Sequence, residues 1–287
     1  FAVGDAVQVT DFITREQTLI PLAGPANKQG RIAADNVAGG DSRYTGTQGS
    51  AILKVFDMTV ATTGVNEKTA KRLGLDYDKS FTYSASHASY YPGAESMAVK
   101  VIFEKGTGKI LGAQIVGYEG VDKRIDVLAT VIRFGGTAED LTRLELAYAP
   151  PYSSAKDPVN MAGFVIQNIL TGKVKNFHWH DVDALQRNDG VTLLDTRTRG
   201  EFRYGHIDGF QNIPLDSLRD RLDELDKSKP VYLTCHVGLR GYVATRILAQ
   251  NGFEAYNLAG GYRLYSSIFG TVPETTVKLN PETQRPE

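Results

Sequence analysis

One stretch of this sequence carries nucleophilic chemistry in its residue types and spacing: Cys235, the only cysteine, opens Cys235-His236-Val237-Gly238-Leu239-Arg240. The residues before it, Pro230-Val231-Tyr232-Leu233-Thr234, read as a buried strand, and a helix is expected from Gly241 to Asn251. A six-residue loop between strand and helix can curl its backbone N–H groups onto the sulfur, while the helix N-terminus and Arg240 add positive potential. The expected effect is a lowered thiol pKa and a stabilised anionic persulfide. A lone cysteine also fits a buried structural thiol. Glycine and arginine at those fixed offsets favour the reactive reading.

Three other signals read as structure. Gly106-x-Gly108-x-x-x-Gly112 has no helix after it and reads as a turn. His178-Trp179-His180 lacks third and fourth ligands for a metal and reads as a linker contact. Lys123-Arg124 at a helix head could meet phosphates but reads as a solvated pair.

The elements that must position these residues fall into two groups. Phe1 to Asp5 reads as the last strand of a buried sheet, and Pro25 to Ala38 as a tightly packed helix stopped by Gly39-Gly40. Strand-length pieces follow at Ala51 to Thr62 and Phe81 to Ser89, then a hairpin of Met97 to Phe103 with Ile110 to Val116. Val121, Ile125, Leu128 and Ile132 have helical spacing, Thr137 with Asp140 makes a capping box, and Asp157-Pro158 opens a helix to about Thr171. From Thr192 the pattern alternates: strands at Thr192 to Leu194, Val231 to Thr234 and Ala255 to Leu258, with helices at Leu215 to Leu225, Gly241 to Asn251 and Tyr262 to Ile268. Alternating β and α with short loops predicts a parallel sheet covered by helices. The tail from Pro273 is expected to be poorly ordered.

At 287 residues, 41% hydrophobic and 23% charged, the composition is that of about two globular domains. A formal charge of −1 argues against nucleic-acid and polybasic membrane partners. One cysteine excludes an intrachain disulfide and a cysteine-based zinc site, and no apolar run reaches the roughly 18 residues of a membrane span. These features point to a reducing, soluble, cytoplasmic setting. The start at Phe1, without methionine or signal-peptide pattern, reads as a chain cut open mid-domain.

Asp195-Thr196-Arg197, Glu201-Phe202, Gly205-His206-Ile207, Gly209, Asn212-Ile213-Pro214, Cys235-x-x-Gly238-x-Arg240 and Leu258-Ala259-Gly260-Gly261-Tyr262 together resemble the rhodanese domain, over about Phe177 to Ile268. The resemblance implies that Cys235 is the sulfur-carrying nucleophile. Arg240 with the amides of His236, Val237, Gly238 and Leu239 would hold the substrate or persulfide, and Asp195, Arg197 and His206 would brace the loops. Related phosphatases carry one more residue between cysteine and arginine; four intervening residues favour sulfur.

Phe1-Ala2-Val3-Gly4-Asp5 and Pro21 to Gly30 resemble the second flavin motif of the pyridine nucleotide-disulfide oxidoreductases and the helix after it. The resemblance implies FAD binding by Asp5, Leu22, Ala23 and Ala26. Ser86 to Gly93 and Ala147 to Pro158 resemble the coenzyme A disulfide reductases, in particular members fused to a rhodanese domain that reduce persulfides or polysulfides. In that branch a tyrosine pair reaches the partner subunit's flavin-side cysteine and CoA substrate, and the resemblance implies that role for Tyr90 and Tyr148, whose phenols could donate a proton to a leaving thiolate; the alternative is that both are core tyrosines with satisfied hydroxyls. Ala149-Pro150-Pro151 stands where the glutathione reductase branch has a His-Pro motif, which argues against a His-assisted dithiol mechanism.

The implied fold is an α+β dimerisation domain of a flavoprotein disulfide reductase, preceded by a remnant of the FAD domain and followed by an α/β rhodanese domain with a parallel sheet. The implied division is 1-45, FAD-domain remnant; 46-172, dimerisation domain; 173-180, linker; 181-270, rhodanese domain; 271-287, tail. FAD, NAD(P)H and coenzyme A, as substrate or ligand, are the implied cofactors; a homodimer through 46-172 and small sulfur substrates are the implied partners. The missing dinucleotide motifs and redox cysteine mean that this chain alone cannot carry out the reduction. A stand-alone thiosulfate or persulfide sulfurtransferase with a dimerising first half is the alternative. A non-catalytic interaction module is the third reading, against which the intact Cys235-Gly238-Arg240 set argues.

Overall fold

The computed structural model describes residues 1–270, so the expectation for the tail lies outside the described residues. The chain divides into two compact units, Phe1–Gln167 and a second from Asn168 onward.

In the first unit, Phe1 to Asp5 is not a strand. No partner strand pairs with it among the described residues, and a strand is held by cross-strand hydrogen bonds. It is tied to the helix that follows by Gly4 N–H donating to Gln29 Oε1 at 3.1 Å. A short antiparallel pair, β1 (Val9–Thr10) and β2 (Gln17–Thr18), precedes helix α1 (Ala23–Val37). The stretch expected as one strand from Ala51 is a hairpin of β3 (Ala51–Val55) and β4 (Met58–Gly64). Phe56 between them takes φ +50°, which turns the chain back and which periodicity does not signal. A short helix α2 (Glu67–Arg72), capped by Asn66, was not read from the sequence.

Three strands complete the sheet: β5 (Tyr77–Ala85), β6 (Ser96–Glu104) and β7 (Ile110–Gly117), all antiparallel in the order β3-β4-β7-β6-β5. Gly106 and Gly108 turn the β6–β7 hairpin at φ +78° and +71°, the conformational freedom that stretch was read to supply. Helix α3 (Val121–Arg133) lies on β4 and β7 and buries Val121, Ile125, Leu128 and Ile132 at the expected spacing. Helix α4 (Ala138–Arg143) opens with the expected Thr137–Asp140 capping box, and α5 runs from Pro158 to Leu170.

The second unit is a parallel sheet in the order β10-β9-β11-β12-β8. Its first strand, β8 (Lys175–Phe177), lies inside the stretch read as a linker: Phe177 is buried and pairs with Leu258, which draws residues 175–177 into the sheet. After α6 (Val182–Gln186) come β9 (Thr192–Asp195), α7 (Arg199–Tyr204), β10 (Gln211–Asn212), β11 (Val231–Thr234), α8 (Leu239–Gln250), β12 (Ala255–Leu258) and α9 (Gly261–Phe269). Side chains alternate across the sheet: Leu194, Val231 and Leu233 join one core, while Leu193, Tyr232 and Tyr256 pack with Phe177, Ile207 and Leu258 on the other face.

Leu215–Glu224, expected as an α-helix, is 3-10 and broken at Arg221. Leu215 with Leu218, and Leu222 with Leu225, are each three residues apart, and a turn of three residues brings both pairs to the same core. No helix of the described residues is long and apolar enough to cross a membrane.

Candidate functional site

β11 delivers Cys235 to the carboxyl edge of the parallel sheet, where open α/β folds place their ligands. Helix α8 starts two residues earlier than expected, so Arg240 belongs to its first turn and Gly238 is its N-cap, at φ +107°. The loop's carbonyls are tied outward. Tyr262 N–H donates to the Cys235 carbonyl at 2.8 Å and Arg263 N–H to the His236 carbonyl at 2.9 Å, both from the start of α9. With those carbonyls occupied, the following amides turn inward, and Gly238 N–H meets Cys235 Sγ at 3.1 Å. Gly261 makes this contact possible: a Cβ there would stand 2.6 Å from the Cys235 carbonyl oxygen and 2.7 Å from that of His236.

Cys235 is fully buried, and burial pushes its thiol above the ordinary value. The amides of Gly241, Gly238 and Val237 and the Arg240 charge pull the other way without overcoming it. The expected lowering of the thiol pKa is therefore reversed, because desolvating a thiolate in a dry pocket outweighs the amide bonds that reward it. Partial desolvation, with Arg263, Arg197 and Arg240 alongside and Glu201 opposing, holds His236 below its usual pKa.

Arg240 is not committed to the sulfur. Its two terminal nitrogens donate to the Glu201 carboxylate at 2.8 and 2.6 Å, a bidentate pair. Glu201 also accepts from Thr198 N–H and Oγ1 at 2.9 Å, closing the capping box of α7. Deeper still, Asp195 and Arg197 form a buried ion pair, Arg197 donates to the Gly205 carbonyl at 2.8 Å, and its guanidinium covers the Tyr262 ring at 3.8 Å. His206 stacks on Phe202 at 3.9 Å, so the bracing roles expected of Asp195, Arg197 and His206 have contacts to match.

Burial would raise the Glu201 carboxyl, but hydrogen bonds from Arg240 and Thr198 outweigh it and bring its pKa to about 2. A folded-state pKa below the ordinary 4.5 contributes stability that is present above about 4.5 and is lost as pH falls through about 2. In Glu201→Gln, the urea midpoint of the second unit is expected to vary less with pH across that window than in the parent. Parallel slopes in the two proteins would show that the Arg240–Glu201 pair does not contribute to stability.

In the first unit, Tyr90 and Tyr148, 58 residues apart, have their hydroxyls 3.0 Å from one another. They are 75% and 47% exposed, which overturns the core-tyrosine alternative. The hydrogen bond to Tyr148 pushes the Tyr90 pKa up.

Arg124 anchors both tyrosine segments. It is 2% exposed, pairs with Asp157 at 2.9 Å, and donates to the Ser86 carbonyl at 2.8 Å, to Ser153 Oγ at 3.2 Å and to the Gly120 carbonyl at 3.2 Å. Ala88 N–H donates to the Pro150 carbonyl at 3.2 Å, joining the two segments directly. The solvated-pair reading of Arg124 is thereby corrected: it sits on the apolar face of α3 beside Val121, Ile125 and Leu128, and a charge there is buried with a counter-charge. That position on the helix was the signal available in the sequence. For Glu201 the signal was Thr198-x-x-Glu201, a capping box.

The remaining candidates stand apart from both clusters. Asp5 and Ala23 are exposed, and Leu22 and Ala26 are half-buried. Helix α1 has Leu22 at its N-cap with no side-chain cap, leaving the amides of Ala23 and Gly24 without a side-chain acceptor. An open cavity of about 720 Å³ adjoins that turn, lined by Gly24, Pro25 and Lys28 and, opposite them, Thr45 and Arg133. His180 contacts Asp181 at 3.0 Å, and among the described residues no group of three His, Cys, Asp or Glu side chains is placed to hold a metal.

A family model described as the pyridine nucleotide-disulphide oxidoreductase dimerisation domain matches residues 50–158, and the rhodanese-like domain matches residues 178–267. The chain is similar to the coenzyme A disulfide reductase of Staphylococcus epidermidis, 38% identical over 168 residues, which are 58% of this chain and 38% of that protein. Among solved structures it is similar to reduced Bacillus anthracis CoADR-RHD, at 50% identity and TM-score 0.91, over 95% of this chain and 49% of that one. It is also similar to a NAD-dependent persulfide reductase from A. fulgidus, at 39% identity and TM-score 0.83, over 92% of this chain and 48% of that one. The chain thus spans about half the length of these solved relatives, and less of the curated one.

Proposed function

From a chain that joins the dimerisation domain of a pyridine nucleotide-disulphide oxidoreductase to a rhodanese-like domain, we propose a part of an FAD- and NAD(P)H-dependent reductase of coenzyme A disulfide, persulfide or polysulfide, in which Cys235 carries sulfane sulfur. The supporting observation is the Tyr90–Tyr148 pair: two exposed, hydrogen-bonded phenols on segments anchored by a buried arginine. A domain serving only as a dimer platform has no use for them. This weighs against a stand-alone sulfurtransferase.

In this reading residues 46-172 form a homodimer and present Tyr90 and Tyr148 to the partner subunit. A protonated hydroxyl there gives its proton to the thiolate that leaves a CoA-linked disulfide or persulfide. FAD would be held at the start of α1 by Asp5, Leu22, Ala23 and Ala26, where the helix dipole would favour negative charge. When bound, it supplies the electrons delivered by NAD(P)H. Cys235 works separately, receiving or supplying sulfane sulfur under the amides of Val237 and Gly238. A lone, reduced cysteine suits a cytoplasmic setting.

The test is Tyr148→Phe and Tyr90→Phe in the intact oxidoreductase. Removing a positioned proton donor is expected to lower kcat on CoA disulfide or CoA persulfide by about 10²-fold, more at Tyr148, while transfer at Cys235 continues. Unchanged kcat and KM in both variants would return the first half to a platform.

A further inference from the structure

We propose that Glu201 sets the donor preference of the cysteine loop: by neutralising Arg240 it turns the site toward organic persulfides of single negative charge and away from dianionic thiosulfate. The proposal deepens the sulfur-carrying reading of Cys235 and rests on it.

Three observations carry it. The loop's own cation is held bidentately, at 2.6 and 2.8 Å, by a carboxylate that belongs to the protein rather than to a ligand. The deeper Arg197 is likewise matched by Asp195 at 2.6 Å. Attraction for an incoming anion is then left to the amides of Val237, Gly238 and Gly241 and to Arg263, which stands beside His236. Neutral dipoles such as these amides suit one negative charge, and a second must face the Glu201 carboxylate. Finally, apolar side chains are exposed next to the loop, beside the exposed His236. Leu239 is 64% exposed in the first turn of α8, and Val243, one turn on along the same face, is exposed as well. Such side chains can contact the carbon chain of an organic thiol and gain nothing from a sulfonate.

The step is an exchange without net oxidation. The Cys235 thiolate attacks the outer sulfur of the donor anion R–S–S⁻. A new S–S bond forms at Cys235, the old S–S bond breaks, and its electron pair leaves with the carrier as R–S⁻. With thiosulfate the same bond forms and sulfite departs with the pair. Glu201 touches neither sulfur in this scheme; it is a positioning residue that acts through Arg240.

Cys235 is the only cysteine of the chain, so one added sulfur atom in the intact mass of the 287-residue protein reports loading. Loading rates are measured with thiosulfate and with cysteine persulfide, in the parent and in Glu201→Gln, Glu201→Asp and Cys235→Ser. Glutamine keeps the capping-box geometry while removing the charge, and aspartate keeps the charge. The expected result is that Glu201→Gln raises the thiosulfate-to-persulfide ratio of second-order loading rate constants by about tenfold or more, the scale of one unit charge a few ångströms from a second at intermediate dielectric. Glu201→Asp should bring the ratio back toward the parent. A ratio within twofold of the parent in Glu201→Gln overturns the inference while leaving Cys235 a sulfur carrier. Failure of both donors to load the parent overturns the carrier reading and the inference together.

Discussion

Cys235→Ser is expected to lower sulfur transfer by about 10³-fold or more while leaving the fold intact, because the hydroxyl cannot form a persulfide and loss of a covalent nucleophile costs orders of magnitude. The fold should survive because the serine oxygen is nearly isosteric with the sulfur and can accept the 3.1 Å hydrogen bond from Gly238. The surrounding contacts belong to the backbone: the Cys235 and His236 carbonyls stay tied to the amides of Tyr262 and Arg263. Two measurements on the 287-residue chain decide it: the rate of sulfur transfer to cyanide, and thermal unfolding by circular dichroism. Retention of more than about a tenth of the rate would remove Cys235 from the chemistry. A collapsed melting curve would mean instead that the sulfur holds the loop together. If the proposed reductase reading holds, activity on a small disulfide should persist in this variant, since Cys235 and the tyrosine pair lie in separate units.

The second large effect concerns Arg124. Arg124→Met is expected to destabilise the first unit by about 3–5 kcal/mol, the usual result of removing one member of a buried ion pair and stranding the other. Asp157, 3% exposed, would keep a buried charge with only Ser153 Oγ and the Val159 amide to answer it, and the Gly120 and Ser86 carbonyls would lose their donor. Combining Arg124→Met with Asp157→Leu should recover much of the loss, because replacing both partners with apolar groups removes the stranded charge. The single tryptophan, Trp179, is in the second unit, so urea unfolding of the first must be followed by far-ultraviolet circular dichroism. Overlapping curves for the single variant and the parent would deny the Arg124 cluster its anchoring role in the Tyr90 and Tyr148 segments.

What the sequence determined by itself is local and periodic. The spacing of Val121, Ile125, Leu128 and Ile132 gave α3, the Thr137–Asp140 box started α4, and the short alternating elements after Thr192 predicted the parallel sheet; each follows from bonds or faces within a few residues. The cysteine loop was legible for the same reason, since strand, six-residue loop and helix are contiguous. Only the tertiary structure decided the rest, all of it between residues far apart in the chain. Burial by surrounding elements raised the Cys235 thiol against the pull of its own loop. Glu201 crossed 39 positions to occupy Arg240, and Tyr90 met Tyr148 across 58. Arg124 changed from a presumed surface charge to a buried anchor because the partners it needed, Asp157 and the Ser86 carbonyl, come from other loops. Desolvation and charge pairing depend on what the folded chain brings within a few ångströms, and spacing along the sequence carries little of that information.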